Sequence, residues 1–187
     1  MWKAFQHFKT ITAHKILVMR YCFRVGLYRQ GLLHDLSKYS FTEFRVGARY
    51  YQGDRSPNAA EIDDIGYSTA WLHHKGRNKH HFEYWVDFAP RSPERVVGVE
   101  MPVNYVAEML MDRIAACRVY QGEAYTDRSP LEYYERGRNG VVMHPRTKAL
   151  LEQLLSMLAE KGEEETLRYV KRELLPKARL QGKRPPD

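Results

Sequence analysis

Apolar residues recur along most of this chain at intervals of three and four, the spacing that lines one face of a helix. The pattern predicts a helix from about Trp2 to Phe23, stopped by Gly26, and a short second one ending near the His34-Asp35 pair. A third runs from about Thr42 to Tyr51 and closes at Gly53; a fourth runs from about Ala59 to His74 and breaks at Gly76. His80 to Val86 reads as a short helix, and Phe88 to Gly98, with Pro90 and Pro93, as a loop. Pro102 suits the first turn of a long helix reaching Gln121. Ser129-Pro130 opens another, ending near Gly137, and two more cover about Pro145 to Glu160 and Glu163 to Leu174. Val96-Val97 and Val141-Val142 are β-branched but too short to require a sheet. The expected fold class is all-α, a single compact helical domain over residues 1–175, with a basic tail at 176–187 expected to be disordered.

Composition adds limits. At 187 residues the chain is about one domain long, and 43% apolar content is enough for a core. The longest aliphatic run near the start, Ile16-Leu17-Val18-Met19, is too short for a signal-peptide core or a membrane span, so no membrane association and a cytoplasmic location are expected. Cys22 and Cys117 form no CxxC pair and read as small core residues. The net charge of +7 favours anionic partners, although the tail supplies part of it. Tyr50, Tyr51, Tyr133 and Tyr134 beside basic residues could meet nucleic acid, but such tyrosines more often pack helices, and no nucleic-acid motif is present.

The chemistry lies in the histidines and aspartates. His14 shares a helix face with Ile11, Leu17, Val18 and Tyr21 and so points toward the core. A core histidine is usually only hydrogen-bonded. Asp112 shares its face with Tyr105, Met109, Ala115, Ala116 and Val119, and a carboxylate facing a core needs a charge partner or a metal. Arg113 or Arg118 could be that partner. His34 and Asp35 are adjacent, about 100° apart if helical, so they suit one ion between them or a carboxylate bridging two ions. His73, His74, His80 and His81 place four imidazoles within nine residues, which packing explains poorly and metal ligation explains well. His73 shares a face with Ile62, Ile65 and Thr69 if the fourth helix is continuous.

The order His14, His34-Asp35, the cluster from His73 to His81, then Asp112 resembles the HD superfamily of metal-dependent phosphohydrolases. Leu32-Leu33-His34-Asp35-Leu36-Ser37-Lys38 is similar to that superfamily's signature, with Ser37 where glycine is more usual, and Asp112-Arg113-Ile114-Ala115-Ala116 to its closing aspartate helix. The likeness covers about residues 10–120, leaving 127–175 as helical support. Asn78, Glu83-Tyr84-Trp85 and Met101-Pro102 also resemble a group of small uncharacterised bacterial and phage proteins related to HD domains.

The resemblance implies that His14, His34, Asp35 and Asp112 hold a first metal. It implies a second ion on two cluster histidines, His74 and His81 first and His80 close behind, with Asp35 bridging. The cofactor would be one or two divalent ions of manganese, cobalt, nickel, zinc or iron, and the extra histidines favour two. The implied activity is hydrolysis of a nucleotide or other small phosphoester by a metal-activated water. Asp35 and Lys38 would be catalytic, and Lys38, Arg77 and Lys79 would bind the substrate phosphate. Arg45 and Arg49, one turn apart, could line an anion pocket, and Glu108 could orient a ligand from behind or pair with a surface arginine. The alternatives are a metal-stabilised binding module without turnover and a di-iron oxygenase of the HD-related kind.

Overall fold

The first helix, α1, is long because its apolar positions keep helical register and nothing breaks it until Gly26, which sits at φ +84°. In the computed structural model, which describes residues 2–181, α1 spans Trp2–Arg24. It is followed by α2 (Tyr28–Leu33), α3 (Phe41–Tyr50), α4 (Pro57–Ile65), α5 (Thr69–Lys75), α6 (Val103–Gln121), α7 (Ser129–Gly137), α8 (Pro145–Tyr169) and α9 (Leu175–Gln181). The protein is an all-α domain, as the periodicity predicts.

Helix α6 is the axle. Val106, Leu110, Met111, Ile114 and Ala115 are fully buried along it, against α1 on one side and α7 and α8 on the other. From α8 come Leu151, Leu154, Leu155 and Leu158, all at 0% exposure. Helix α1 also carries α2 and α3. Glycine allows both approaches. A Cβ at Gly31 would lie 3.0 Å from Cys22 Cβ, and one at Gly47 would lie 2.2 Å from His7 Nε2. The α1 side of the bundle therefore closes tightly over the polar residues it covers.

Four expectations are corrected. The helix expected from Ala59 to His74 is two helices, because Gly66 adopts the left-handed conformation (φ +84°) and ends α4. Ser68 then caps α5, its hydroxyl accepting from Trp71 N at 3.0 Å. Glu61, buried on α4, ties the two together by accepting from the hydroxyls of Ser68 and Thr69 at 2.6 and 2.7 Å. Second, the segment expected as helix at 80–86 is only a single 3₁₀ turn, Phe82–Trp85. Third, the loop after it contains a small antiparallel sheet, β1 (Val86–Phe88) on β2 (Val96–Gly98), registered Val86 to Gly98 and Phe88 to Val96. Fourth, the tail is helical as far as Gln181. Buried Leu175 holds it to the core, and the wide π-turn Val170–Leu174 gives room for Pro176, which cannot donate a helical hydrogen bond. The rest of the expected tail, 182–187, lies outside the described residues. The break expected between Glu160 and Glu163 is present as a kink within α8 at Gly162, φ +81°.

Among the described residues no helix is long and apolar enough to cross a membrane.

Candidate metal centre

Helix α2 ends where the site begins. His34 N–H bonds back to Gln30 O at 2.7 Å, and Asp35 then turns the chain with φ +54° and ψ +23°. Aspartate tolerates this left-handed conformation better than most side chains. The two residues are thus not on a helix, and the 100° rule does not govern them. Lys15 on α1 fixes this turn by donating from Nζ to Leu32 O and His34 O at 2.8 and 2.9 Å, satisfying carbonyls the helix end leaves free. His14 sits next to that lysine, so the contact that docks α2 on α1 also brings His14 to His34.

Asp35 is the centre of the arrangement. It is 1% exposed, and its two oxygens face different sets of nitrogens. Oδ2 lies 3.4 Å from Nε2 of both His14 and His34. Oδ1 lies 3.3 Å from Nε2 of both His74 and His80. On the first side Asp112 Oδ1 completes the group, 3.0 Å from His14 Nε2 and 3.5 Å from His34 Nε2, and the two imidazole nitrogens are 3.5 Å apart. On the second side His81 completes it, its Nε2 2.9 Å from that of His74. In each group of four the candidate ligand atoms all lie within 4.8 Å of one another.

These separations suit a metal. Ligand bonds of about 2.1 Å put neighbouring ligand atoms about 3.0 Å apart at octahedral angles and about 3.4 Å apart at tetrahedral ones. The orphaned atoms fit as well. Asp35 Oδ1 and His80 Nε2 are buried without a hydrogen-bond partner, while Asp35 Oδ2 is met by the Lys38 ammonium. A chelating set of inward-facing imidazoles and carboxylates is the donor set that divalent transition ions take.

The outer nitrogens are held. Glu108 Oε1 accepts from Nδ1 of His34 at 2.9 Å and faces Nδ1 of His80 at 3.2 Å, so one carboxylate orients a ring in each group. Glu43 accepts from Nδ1 of His74 at 2.8 Å through one oxygen and from Nδ1 of His73 at 2.6 Å through the other. Asn78 Nδ2 donates to His74 O and to Ser37 Oγ, both at 2.8 Å. Holding Nδ1–H in this way leaves Nε2 free to ligate. His34, His80 and Glu108 also form a compact set on their own. An ion there would have to share both rings with the inner groups as imidazolates, and Glu108 as acceptor needs no such step.

Charge follows the same lines. Burial alone would raise the pKa of Asp35, but the charges of His34, Lys38 and His74 hold it well below the carboxylate range. Asp112 is likewise held well below that range, with burial opposed by its hydrogen bonds to His14 and His34. Burial would lower His34, yet Asp35 and its hydrogen bonds lift it well above the usual imidazole value. Protons on the imidazoles thus balance the acids, and a bound cation would take their place. Burial, with the charges of His80 and His74, keeps His81 well below its usual value.

The groups open on a cavity of about 730 Å³ lined by His14, His74, His81, Asp112 and Lys38. Lys38 reaches the site as expected, with Nζ 2.5 Å from Asp35 Oδ2. Arg77 and Lys79 do not line the cavity. Arg77 turns back to donate to His73 O at 3.2 Å, and Lys79 lies over the rings of Tyr84 and Tyr105 at 5.7 and 6.0 Å. Arg45 and Arg49 stack on Phe41 and Tyr50 instead of lining it. The cationic wall is made by Arg55, Arg113 and Arg136. Asp112 pairs with neither Arg113 nor Arg118; the latter holds Glu163 at 2.8 Å. His7 also lines the cavity, two turns before His14 on the same buried face, a spacing the sequence displayed. His73 is turned to Glu43 and belongs to neither group, since the continuous helix that favoured it is broken at Gly66.

Fold and site together define an all-helical domain in which two groups of side chains that could hold a metal share one aspartate. The chain belongs to a family of unknown function, DUF5662, whose model matches residues 3–157. That span contains every residue of both groups and of the cavity wall. No curated protein and no solved structure matches the chain.

Proposed function

We propose that this protein is a metal-dependent hydrolase of a nucleotide or another small phosphoester. The observation that carries the reading is Asp35, whose two oxygens each face a separate imidazole set at the edge of a ligand-sized cavity. His14, His34, Asp35 and Asp112 would hold one divalent ion and Asp35, His74, His80 and His81 a second, and such ions would supply a water acidified toward a pKa of about 7 and a clamp on phosphate oxygens. The chain's own residues do the rest. Asp35 fixes the spacing of the two groups, while Glu108 and Glu43 keep the imidazoles facing inward. Lys38 stays protonated because Asp35 and Asp112 outweigh its burial, and from the cavity wall it can donate to a phosphate oxygen. Trp71 and Tyr120 give the same wall apolar faces for the remainder of the substrate. The resemblance of residues 10–120 to the HD superfamily supports the same reading.

The test is elemental analysis of protein purified without a histidine tag, followed by phosphate-release assays on nucleotides and simple phosphoesters. Close to two equivalents of manganese, cobalt, nickel or zinc, with turnover abolished by chelation, is the expected result. Two irons and oxygen consumption would replace the hydrolase with an oxygenase. Bound metal without turnover of any phosphoester would make the protein a metal-stabilised binding module.

A further inference from the structure

Two arginines that line the cavity, Arg113 and Arg136, make no ion pair among the described residues. Arg113 follows Asp112 directly, so its side chain leaves α6 about 100° away from the aspartate. Asp112 turns to His14 on α1, while the Arg113 guanidinium lies 5.6 Å from the ring centroid of Tyr134 on α7. Arg136, on α7 itself, lies 5.6 Å from the ring of Tyr133. Both arginines line the cavity, from helices α6 and α7 that pack against each other. Among the described residues neither has a carboxylate within 4.0 Å, and Nε of Arg113 is buried without a partner. Arg55, the third arginine of the cavity wall, does hold an acid, Asp63 at 2.7 Å.

A guanidinium with a buried, unpaired nitrogen is costly, and its planar fork fits a carboxylate or phosphate in two hydrogen bonds. The tyrosine rings behind it add a cation–π contact that sets its position. Glu83 also lines the cavity with a buried, unpartnered oxygen, but it makes no ion pair with Arg113 within 4.0 Å.

We propose that Arg113 and Arg136 form an anion subsite on the α6–α7 side of the cavity, so that the substrate carries a second anionic group besides the phosphate at Asp35. This deepens the hydrolase reading and rests on it for the first anion only. The second group is a carboxylate, phosphate or phosphonate, the anions a guanidinium grips in pairs.

The experiment is isothermal titration of the protein, with the metal it carries on purification, using methylphosphonate, phosphonoacetate, 3-phosphonopropionate and 4-phosphonobutyrate. The last three add a carboxylate at increasing reach. The best of them should bind about tenfold tighter than methylphosphonate, one charge-assisted bond's worth. Arg113→Gln should remove that preference and leave the methylphosphonate affinity and metal content as they were. Arg136→Gln changes an exposed residue, so it keeps the test valid if Arg113→Gln folds poorly, and it should lower the preference too. No preference for any carboxylate, or a preference that survives both variants, overturns the subsite. Melting temperatures lowered equally by Arg113→Gln and Glu83→Gln, with phosphonate affinities unchanged, also overturn it by making Arg113 a structural partner of Glu83. Metal content is read on the same samples. An arginine-dependent preference in metal-free protein would keep the subsite and remove the metal reading, and metal without the preference would do the reverse.

Discussion

Glu108→Gln is the perturbation that tests the centre as a unit. Glu108 Oε1 is within hydrogen-bond reach of Nδ1 of His34 in one ligand group and Nδ1 of His80 in the other, at 2.9 and 3.2 Å. A glutamine keeps the shape but loses the charge, and its amide can present an oxygen to these two N–H groups only if its NH₂ finds a place elsewhere in a buried pocket. Removing an outer carboxylate of this kind weakens metal affinity by roughly 10–100-fold, about 1.4–2.7 kcal/mol. Since one oxygen serves both groups, both affinities should fall. Glu43→Gln is the control, because Glu43 meets His74 in the second group and no ligand of the first. It should weaken one site and spare the other. Competition against a chromophoric chelator, with manganese or zinc as probe, resolves two affinities per protein. If Glu108→Gln leaves both within about threefold of the parent, the carboxylate is not orienting the imidazoles. If Glu43→Gln weakens both sites alike, the division of the ligands into two groups is wrong.

Asp35→Ala should abolish binding of both ions and leave the far-ultraviolet circular dichroism helical, since the core of α6 and α8 lies apart from it; a variant retaining two equivalents would refute the shared role. Gly47→Ala puts a Cβ 2.2 Å from His7 Nε2 and should cost about 1–3 kcal/mol in urea denaturation, whereas an unchanged midpoint would show that α1 and α3 separate freely. Burial, with a smaller contribution from Lys38, lowers the His7 pKa from 6.5 to about 4, so the folded state keeps it neutral while the unfolded state takes a proton. The stability this contributes is complete above pH 6.5 and is lost as pH falls toward 4, by up to roughly 3 kcal/mol. His7→Leu should flatten that part of the pH–stability curve; the same acid slope in the variant would assign the loss to other groups.

The parts of this molecule that could be read from its sequence are those in which neighbours along the chain are neighbours in space. Helix α6 declared itself through Pro102 and an unbroken apolar face, and Asp112 stood out on that face because a carboxylate there needs a reason. His14 stood out in the same way on α1. The limits of legibility are equally physical. Ala59 to His74 has one helical period, but Gly66 gains more from a left-handed cap than the period gains from continuing. Reading through that glycine favoured His73, and the restart at Ser68 brings His74 inward instead, to Asp35 and Glu43. Arg77 and Lys79 stand beside the candidate ligands in sequence, which is what suggests them as phosphate-binding side chains. Those positions follow the end of α5, where their side chains meet a carbonyl and two tyrosine rings. Besides Lys38, the cations that do face the cavity are Arg55, Arg113 and Arg136, and the last two come from α6 and α7, which pack against each other. Proximity in sequence therefore pointed to His34-Asp35 and the cluster from His73 to His81 as candidate ligands, while His14 and Asp112 join them from two long helices. It could not locate Arg55, Arg113 and Arg136, because parts of the chain that are distant in sequence supply them and meet only when the whole bundle has formed.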